Sequence, residues 1–377
     1  MDGRIYVFKD SAGRTSRWLF AICLSLVGTA AFAHTFVYVA NYKESTIAAF
    51  IERHDGQLQT DGSVSTPRGP ESIVTDKEGF VVTADTLAHA ISAYRIHLTT
   101  GHLTQTAVQI ESASANPFNL TVSPQGQFFY VANSGNSTVA IYRLNPVTGT
   151  LTSDGIVREG HGANPYTVTL TPNGRYVYVA NFGNDTIGMY QRLPGHGHIH
   201  ALGIFHEPVG DGPYSLAVGP SGRFLYVADF RANVLLVLAI TKNGRLKPRD
   251  RIVEPFDHHP DSLVIDPSGR YLFVANTSAN DISVFKINQR TGRLVHVGRV
   301  ATGGYPFSLT LDAAARFVYA VNFGSSTISR YRLNRRNGAL TTIGTTPEKR
   351  YADPYSIAAL TIHARSLGSA PLPKKAK

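Results

Sequence analysis

One short segment recurs seven times along the chain, and this repeat constrains the fold more than any other feature. Each copy is an aromatic and β-branched run that closes on Asn or Asp, a composition typical of a β-strand. The copies are Phe36–Asn41, Phe80–Asp85, Phe128–Asn133, Tyr176–Asn181, Phe224–Asp229, Tyr271–Asn276 and Phe317–Asn322. By residue number, their closing residues are 44 to 48 positions apart. That period is typical of the four-stranded blades of a β-propeller.

Each repeat divides into four predicted strands, and the segment above is the second of them. The first strand begins at a proline in every repeat. These prolines are Pro70, Pro117, Pro165, Pro213, Pro260, Pro306 and Pro354. The third strand follows a polar turn, as in Thr138–Leu144, and the fourth follows a Gly-containing turn, as in Gly149–Val157. We therefore expect an all-β, seven-bladed β-propeller with four-stranded blades and the fourth strand at the exposed outer edge.

The repeat region begins and ends within a blade, at different strands, and this predicts how the ring closes. The repeats open on a second strand at Phe36–Asn41, and Pro354–Ile362 supplies a first strand that no second strand follows. We expect these two segments to pair in one blade. Such pairing removes two sheet edges that would otherwise be open to aggregation.

Residues 1–33 have the features of a secretory signal peptide. Arg14 and Arg17 precede an apolar run that starts at Trp18, and Ala31–Ala33 fits a small-x-small cleavage site before His34. The expected location is therefore periplasmic or secreted, with no stable membrane span once the signal is removed. An uncleaved membrane anchor is the alternative.

The remaining chain divides into a propeller at residues 34–365 and a Pro- and Lys-containing tail at 366–377, which we expect to be disordered. The single cysteine, Cys23, lies within the signal segment, so the exported chain has no disulfide. Hydrophobic residues make up 43% and charged residues 16% of the sequence, which favours a large packed core. The formal charge of +10 is spread along the chain, and no basic and aromatic stretch recurs on one element, so nucleic acid is not an expected partner.

Three sequence patterns together resemble a known family: the Pro-x-[Ser/Thr/Asn]-[Leu/Val/Ile] first strands, the Pro-x-Gly-[Arg/Gln] turns and the YVAN-like second strands. They resemble the seven-bladed propeller lactonases of the 6-phosphogluconolactonase type and their relatives with YVTN repeats. The resemblance covers Phe36 to about Ile362. For the lactonase branch it implies an Arg-His pair directly after the first-strand proline and an acidic residue directly after the second-strand asparagine. Lactone opening needs a general base and a cation for the oxyanion.

Neither of these elements is present in this sequence. The pairs that follow the prolines are Glu71-Ser72, Phe118-Asn119, Tyr166-Thr167, Tyr214-Ser215, Asp261-Ser262, Phe307-Ser308 and Tyr355-Ser356. The residues that follow the closing Asn or Asp are Tyr42, Thr86, Ser134, Phe182, Phe230, Thr277 and Phe323. The first hypothesis is therefore a binding or scaffold propeller that presents a small-molecule or protein ligand site, expected to be monomeric and without a cofactor. The alternative is a hydrolase that opens a sugar-derived or other lactone.

The closing residues Asn41, Asp85, Asn133, Asn181, Asp229, Asn276 and Asn322 form a ring in the predicted fold. We interpret them as turn residues, because Asn and Asp bond to nearby backbone, and Thr46, Thr138, Thr186 and Thr327 stand five positions later as partners. The alternative is a polar collar around a central channel.

Loops that lead into first strands and turns that leave second strands meet at the same end of a blade, so this end is the expected site. The channel-face binding candidates are His161, Asp211, Tyr214, Tyr166, Tyr305, Arg350 and Asp353. The catalytic candidates are His258, His259, Asp257 and Asp261, with Arg68 or Arg350 as the oxyanion partner. A solvated loop without a ligand is the alternative for the 257–261 run, whose spacing matches no metal motif.

A second histidine group lies on a predicted edge strand. His198 and His200 share a face and are weak metal candidates, but alignment with the other repeats turns Ile199 inward and the histidines toward solvent. No functional metal is expected there.

Overall fold

In a computed structural model, residues 34–208, 210–253, 258–349 and 352–362 are described, and within them lie 28 strands and one 3₁₀ turn at Thr86–Ala88. Blade 1 contains β1 (His34–Asn41), β2 (Thr46–Glu52) and β3 (Leu58–Ser65). Blade 2 contains β4 (Pro70–Thr75), β5 (Phe80–Asp85), β6 (Ala90–Ile96) and β7 (Leu103–Ile110). Blade 3 contains β8 (Pro117–Val122), β9 (Phe128–Asn133), β10 (Thr138–Leu144) and β11 (Leu151–Arg158).

Blade 4 contains β12 (Pro165–Leu170), β13 (Tyr176–Asn181), β14 (Thr186–Arg192) and β15 (Ile199–His206). Blade 5 contains β16 (Pro213–Val218), β17 (Phe224–Asp229), β18 (Val234–Ile240) and β19 (Leu246–Val253). Blade 6 contains β20 (Pro260–Ile265), β21 (Tyr271–Asn276), β22 (Asp281–Ile287) and β23 (Leu294–Ala301). Blade 7 contains β24 (Pro306–Leu311), β25 (Phe317–Asn322), β26 (Thr327–Leu333) and β27 (Leu340–Pro347). The last strand, β28 (Pro354–Ile362), belongs to blade 1.

The predicted fold and its closure are confirmed. Each blade is a four-stranded antiparallel sheet, and β28 pairs with β1 in the order β28-β1-β2-β3. The register runs from His34 opposite Ile362 to Asn41 opposite Pro354, and Thr35 Oγ1 lies 2.9 Å from Thr361 Oγ1. The first strands of neighbouring blades contact one another all the way round the ring, so they line its centre. The fourth strands are largely exposed, as expected of outer edges.

The core consists of seven apolar clusters, each between two neighbouring blades. The second strands supply most of it, which explains the aromatic and β-branched repeat. A tyrosine in several of these strands also links blades: the Tyr130 hydroxyl donates to the Gly197 carbonyl of the next blade at 2.8 Å, and Tyr178 donates to Gly244 at 2.9 Å. The aromatic repeat therefore both fills the space between blades and fixes the turn before the neighbouring fourth strand.

The third position of the Pro-x-[Ser/Thr/Asn]-[Leu/Val/Ile] pattern is also structural. The backbone N–H of Ile73 donates to Ser356 Oγ of the preceding blade at 3.3 Å. Leu120, Leu263 and Leu309 donate in the same way to Ser72, Ser215 and Ser262. These bonds connect first strands around the channel, where no sheet ladder joins one blade to the next.

The interpretation of the Asn ring as turn residues is confirmed where Thr follows. Asn41, Asn133, Asn181 and Asn322 donate through Nδ2 to the threonine hydroxyl five positions later, at 3.0 to 3.4 Å. The amide thus spans the turn from second to third strand.

The signal segment 1–33 and the predicted tail 366–377 lie outside the described residues. Across the part of the chain that is described, no helix has the length and hydropathy needed to cross a membrane.

Candidate functional site

Two positions of every blade meet at one end of the channel: the residue after the first-strand proline and the residue after the second-strand Asn or Asp. They are neighbours because the proline and the Asn or Asp lie opposite each other in the antiparallel pair, as Pro165 and Asn181 do. Nine of the fourteen residues at these positions are aromatic. We call them the aromatic mouth: Tyr42, Phe118, Tyr166, Phe182, Tyr214, Phe230, Phe307, Phe323 and Tyr355.

The rings of the aromatic mouth pack on one another across blade boundaries. Phe118 stacks on Tyr166 with 4.2 Å between ring centroids, and Tyr166 stacks on Phe182 at 4.5 Å. Tyr214 meets Tyr166 edge-on at 5.1 Å. Tyr355 lies 4.9 Å from Phe307 on the other side. Every ring keeps part of its surface exposed, so the mouth presents an aromatic surface to solvent.

Blades 2 and 6 interrupt the aromatic mouth with a carboxyl group each. Glu71 and Asp261 take the position after the proline, and in both blades a threonine takes the position after the second strand. The Thr86 hydroxyl contacts Glu71 Oε2, and Thr277 Oγ1 lies 3.2 Å from Asp261 Oδ2. Both carboxyls are buried. An acid in this position is thus matched by a hydroxyl partner.

A count of hydrogens favours the protonated form of these carboxyls in the folded chain. Thr86 Oγ1 also lies 2.5 Å from the Pro117 carbonyl, and Thr277 Oγ1 lies 3.4 Å from the Pro306 carbonyl. A hydroxyl has one hydrogen and a carbonyl has none, so both contacts are satisfied when the carboxyl supplies a proton of its own. Burial has the same effect, because it raises the pKa of Glu71 to about 7 and the pKa of Asp261 well above its usual range.

Two tyrosines line the channel cavity together with the carboxyls. Tyr214 and Tyr355 lie close enough to Glu71 and Asp261 for the charge of either carboxyl to add to the effect of burial on the pKa of the tyrosines. Burial raises the pKa of both tyrosines well above the usual value, so they are uncharged at neutral pH. The result is a cluster of four polar groups in the cavity lining.

A cavity of about 80 Å³ lies in the centre of the mouth. Its lining is Glu71, Phe118, Asn119, Thr167, Tyr214, Ser215, Asp261, Ser262, Phe307, Ser308, Tyr355 and Ser356. No Lys, Arg or His stands among these described residues. The cavity is smaller than the roughly 300–1,000 Å³ of a typical enclosed small-molecule site. It suits a small headgroup, with the rest of a ligand lying on the exposed rings.

The structure separates the residues that the sequence proposed for catalysis. His258 is 6% exposed, and its backbone N–H donates to Asn233 Oδ1 at 3.1 Å. His259 Nδ1 lies 2.6 Å from Ser278 Oγ, and its ring stacks on Phe230 at 4.7 Å.

These two histidines lead into blade 6, whereas the exposed Arg68 leads into blade 2, three blades away. Asp261 is buried in the channel and is not part of a solvated loop. Asp257 lies outside the described residues.

The proposed binding residues fall into two groups. Tyr166 and Tyr214 belong to the aromatic mouth. Around it, His161 and Tyr305 are exposed, and Asp353 is half-buried with its carbonyl accepting from the Tyr42 N–H at 3.1 Å. Asp211 is buried and pairs with Arg251 at 3.2 Å, which gives it a structural partner. Arg350 lies outside the described residues.

The weak metal candidates lie far from the mouth, at an outer blade edge. His198 and His200 are exposed while Ile199 is buried, as the repeat alignment predicts. His198 Nδ1 lies 3.5 Å from Asp154 Oδ2. Within the described ranges, no group of three or more His, Cys, Asp or Glu side chains could hold a metal ion.

Apart from Tyr166 and Tyr214, sequence reasoning did not select the rings of the mouth, and it gave Glu71 no role in the site. The signal was available in the covariation within each blade: an acid after the proline occurs with a threonine after the second strand, and an aromatic after the proline mostly occurs with a second aromatic. Because these two positions are about fifteen residues apart in sequence, only the pairing of first and second strands shows that they touch.

The fold has seven blades, and β28 closes the ring by pairing with β1. Together with the channel mouth at the first-strand prolines, this is the architecture of a propeller of the lactonase type. The family model described as "Lactonase, 7-bladed beta-propeller" matches residues 29–119, 112–207 and 164–352. The chain belongs to this family. No curated protein is significantly similar to it.

Solved structures share the fold at low sequence identity. A putative 6-phosphogluconolactonase from Bacteroides fragilis is 18% identical with a TM-score of 0.78, covering 87% of this chain and 98% of its own. The periplasmic gluconolactonase of Pseudomonas aeruginosa is 19% identical with a TM-score of 0.77, covering 87% and 99%. Virginiamycin B lyase from Staphylococcus aureus is 18% identical with a TM-score of 0.58, covering 76% and 87%. These similarities establish the fold.

Proposed function

We propose that this chain is an exported binding propeller that holds a small ligand at the aromatic mouth. One observation carries the proposal. The positions where the family resemblance implies Arg-His pairs and acidic residues hold nine rings and two carboxyl–threonine pairs. Large, partly exposed and mutually packed rings supply contact area at low conformational cost, which favours binding. The cavity beneath them supplies hydroxyl, amide and carboxyl groups that orient a ligand.

Export is supported by two independent features. Residues 1–33 carry the charge, hydropathy and cleavage pattern of a signal peptide. One of the similar structures is described as a periplasmic protein. The propeller would then act as a monomer outside the cytoplasm, on a small molecule of its surroundings and without a cofactor.

The test uses the chain from His34 onward, purified and analysed by native mass spectrometry for a co-purifying small molecule. We expect a retained ligand in the parent chain and its loss from a Phe118→Ala, Tyr166→Ala double variant. Val147→Ala is the control, because Val147 is an 82% exposed apolar residue in the turn between β10 and β11, at the opposite end of the blade from the mouth. A ligand that persists in the double variant, or is lost from the control, contradicts the assignment to the mouth.

Lactone hydrolysis is the second candidate, and the pKa of Glu71 favours it. A carboxyl whose pKa lies near 7 is well matched to proton transfer at neutral pH, and Glu71 lines the channel cavity. Two of the similar structures carry lactonase descriptions. Here Glu71 would act as the base in place of His258 or His259.

The assay follows acid release from glucono-δ-lactone at constant pH. If the chain is a lactonase, Glu71→Gln lowers the rate at least a hundredfold, and His259→Ala leaves it unchanged. If it is a binding propeller, the parent chain gives no more acid than a heat-denatured sample. Loss of activity in His259→Ala alone would instead restore the histidine assignment.

A further inference from the structure

Among the described residues, the two buried carboxyls of the channel have no cationic partner, although several other carboxyls do. Glu52 pairs with Arg316 at 2.6 Å, and Asp211 pairs with Arg251 at 3.2 Å. Glu71 and Asp261 contact hydroxyl groups, and no cationic side chain lines the cavity that they share. A small cation that entered this cavity would meet two carboxyl groups that can ionise.

One ring of the aromatic mouth already packs against a cationic side chain of this chain. The guanidinium of Arg231 lies 3.8 Å from the centroid of Phe182, and its Nη1 donates to the Phe182 carbonyl at 3.0 Å. Asp185 balances this charge at 3.6 Å. Aromatic faces attract cations through the ring quadrupole, and the attraction strengthens when water is excluded. The aromatic mouth therefore offers further faces of the same kind directly over the cavity.

We propose that the ligand of the aromatic mouth carries a small organic cation, an ammonium headgroup, that sits between Glu71 and Asp261 beneath the rings. This inference rests on the proposed binding function and specifies its ligand class. Burial favours the protonated form of both carboxyls, so a bound ammonium group favours release of a carboxyl proton to solvent. Glu71, whose pKa burial raises to about 7, supplies this proton. The groups that face Glu71 are Tyr42, Tyr166, Tyr355 and Thr86, with Arg68 near Tyr42; those that face Asp261 are Tyr214, Tyr355 and Thr277.

Proton release distinguishes a cation from a neutral ligand. A sugar or other polyol could also use stacked rings and carboxylic acids, but it would leave both protons in place. The probe is choline, and the neutral comparison is 3,3-dimethylbutan-1-ol, which has the same shape without the charge. Titration calorimetry at pH 7 in two buffers of different ionisation enthalpy measures both the Kd and the number of protons released.

We expect choline to bind with release of up to one proton, and the neutral alcohol to bind at least tenfold more weakly. Glu71→Gln should weaken choline binding about tenfold or more and abolish the proton release, because an amide can hold the Thr86 contact but cannot ionise. Glu111→Gln is the matched control: Glu111 is a largely buried carboxyl that accepts from Tyr142 at 2.5 Å, outside the mouth. Its choline Kd should equal that of the parent chain. Thermal unfolding of each variant verifies that it is folded.

Each contrary result has a separate meaning. Equal affinity for choline and the neutral alcohol, or binding without proton release, overturns the cation inference. If choline fails to bind while methyl β-D-glucoside binds and Phe118→Ala removes that binding, the inference falls and the binding function stands. If no probe binds and glucono-δ-lactone is hydrolysed, both fall.

Discussion

Closure of the ring by β1 and β28 can be tested with a disulfide between the two ends of the chain. Thr35 and Thr361 lie directly opposite each other, with 2.9 Å between their hydroxyl oxygens and 326 positions between them in sequence. Directly paired residues of antiparallel strands have Cα atoms about 4.5–5.5 Å apart, within the range that a disulfide spans. The chain from His34 onward has no other cysteine, so a Thr35→Cys, Thr361→Cys variant can form one intramolecular bond.

The expected stabilisation follows from the loop that the bond closes. A crosslink across 326 positions lowers the entropy of the unfolded chain by an amount worth about 5–6 kcal/mol at 25 °C. For a domain of this length, with an unfolding entropy of about 2.1 cal/mol/K per residue, the midpoint should rise by about 5–10 °C. This value is an upper bound, because any strain in the native strands reduces it.

The assay is thermal unfolding of the double variant before and after reduction, which makes each sample its own control. The oxidised form should melt higher than the reduced form, and single Thr35→Cys should show no such difference. Mass spectrometry counts the free thiols. Two free thiols after mild oxidation of the folded monomer would refute the register between β1 and β28, and with it the assigned phase of the blades.

Three further expectations concern single features of the fold. Deletion of residues 354–377 removes β28 and should unfold or aggregate the chain. Deletion of 366–377 should leave the melting temperature within about 1 °C of the parent value. Equal melting of the two truncated chains would contradict the closure. Tyr130→Phe removes the bond to the Gly197 carbonyl and should cost about 1 kcal/mol in urea unfolding, with no change in fold by circular dichroism. Gly244→Ala should lower the free energy of unfolding by more than about 1 kcal/mol, since φ is +79° and the added methyl meets the Tyr176 ring. Gly62→Ala should lower it less, because φ is +105° but the added methyl meets no neighbour. Equal losses of stability would show that backbone strain alone matters.

The strand boundaries could be predicted because the same local chemistry recurs in each repeat. Each first strand begins at its proline and each second strand ends at its Asn or Asp, as the sequence predicts. These residues act on their own neighbours: proline fixes φ, and the amide spans the turn to the threonine five positions later. Closure could be predicted for a related reason, because an unpaired first strand at one end of the sequence needs the second strand at the other.

The site could not be predicted in the same way, because it is built from one or two residues of each blade. The run at 257–261 was predicted as a site because it is rich in ionisable residues. Residues that are neighbours in sequence do not all face the same cavity, however. Of that run, Asp261 faces the channel cavity, while His258 is buried nearby and His259 stacks at the rim. Conversely, each ring of the mouth is inconspicuous among 37 Phe and Tyr residues and becomes part of a site only when the ring closes.

A contact that recurs between several neighbouring blades is replaced by a pair of carboxyls between blades 4 and 5, and this pair predicts a pH dependence. A Glu after the fourth strand accepts from the second-strand Asn of the next blade, as Glu159 does from Asn181 at 3.0 Å. At the corresponding place between blades 4 and 5, Glu207 meets Asp229, and both side chains are buried. Neither carboxyl has another hydrogen-bond partner among the described residues.

Burial raises the pKa of both groups, and the neighbouring Asp229 raises the pKa of Glu207 further. Asp211 and Asp185 raise them further, and Arg251 only partly compensates at Asp229. The folded chain therefore binds more protons than the unfolded chain above about pH 4, the pKa of an unfolded carboxyl. Since stability falls with pH wherever the folded state holds more protons, this contact contributes most in acid and is lost as the pH rises through neutrality.

Asp229→Asn introduces the Asn–Glu contact that blades 3 and 4 make, so it should stabilise the chain by about 1–3 kcal/mol at pH 8 and have little effect at pH 4. Asn181→Asp makes the opposite exchange, placing a carboxyl against Glu159, and should destabilise the chain at pH 8 by a similar amount. Urea unfolding at the two pH values measures both changes. A purely steric effect of the substitutions would shift stability equally at pH 4 and pH 8, because it involves no proton. Equal shifts at the two pH values would therefore exclude a shared proton between Glu207 and Asp229. A gain of stability in Asp229→Asn and a loss in Asn181→Asp, both seen only at pH 8, would establish it.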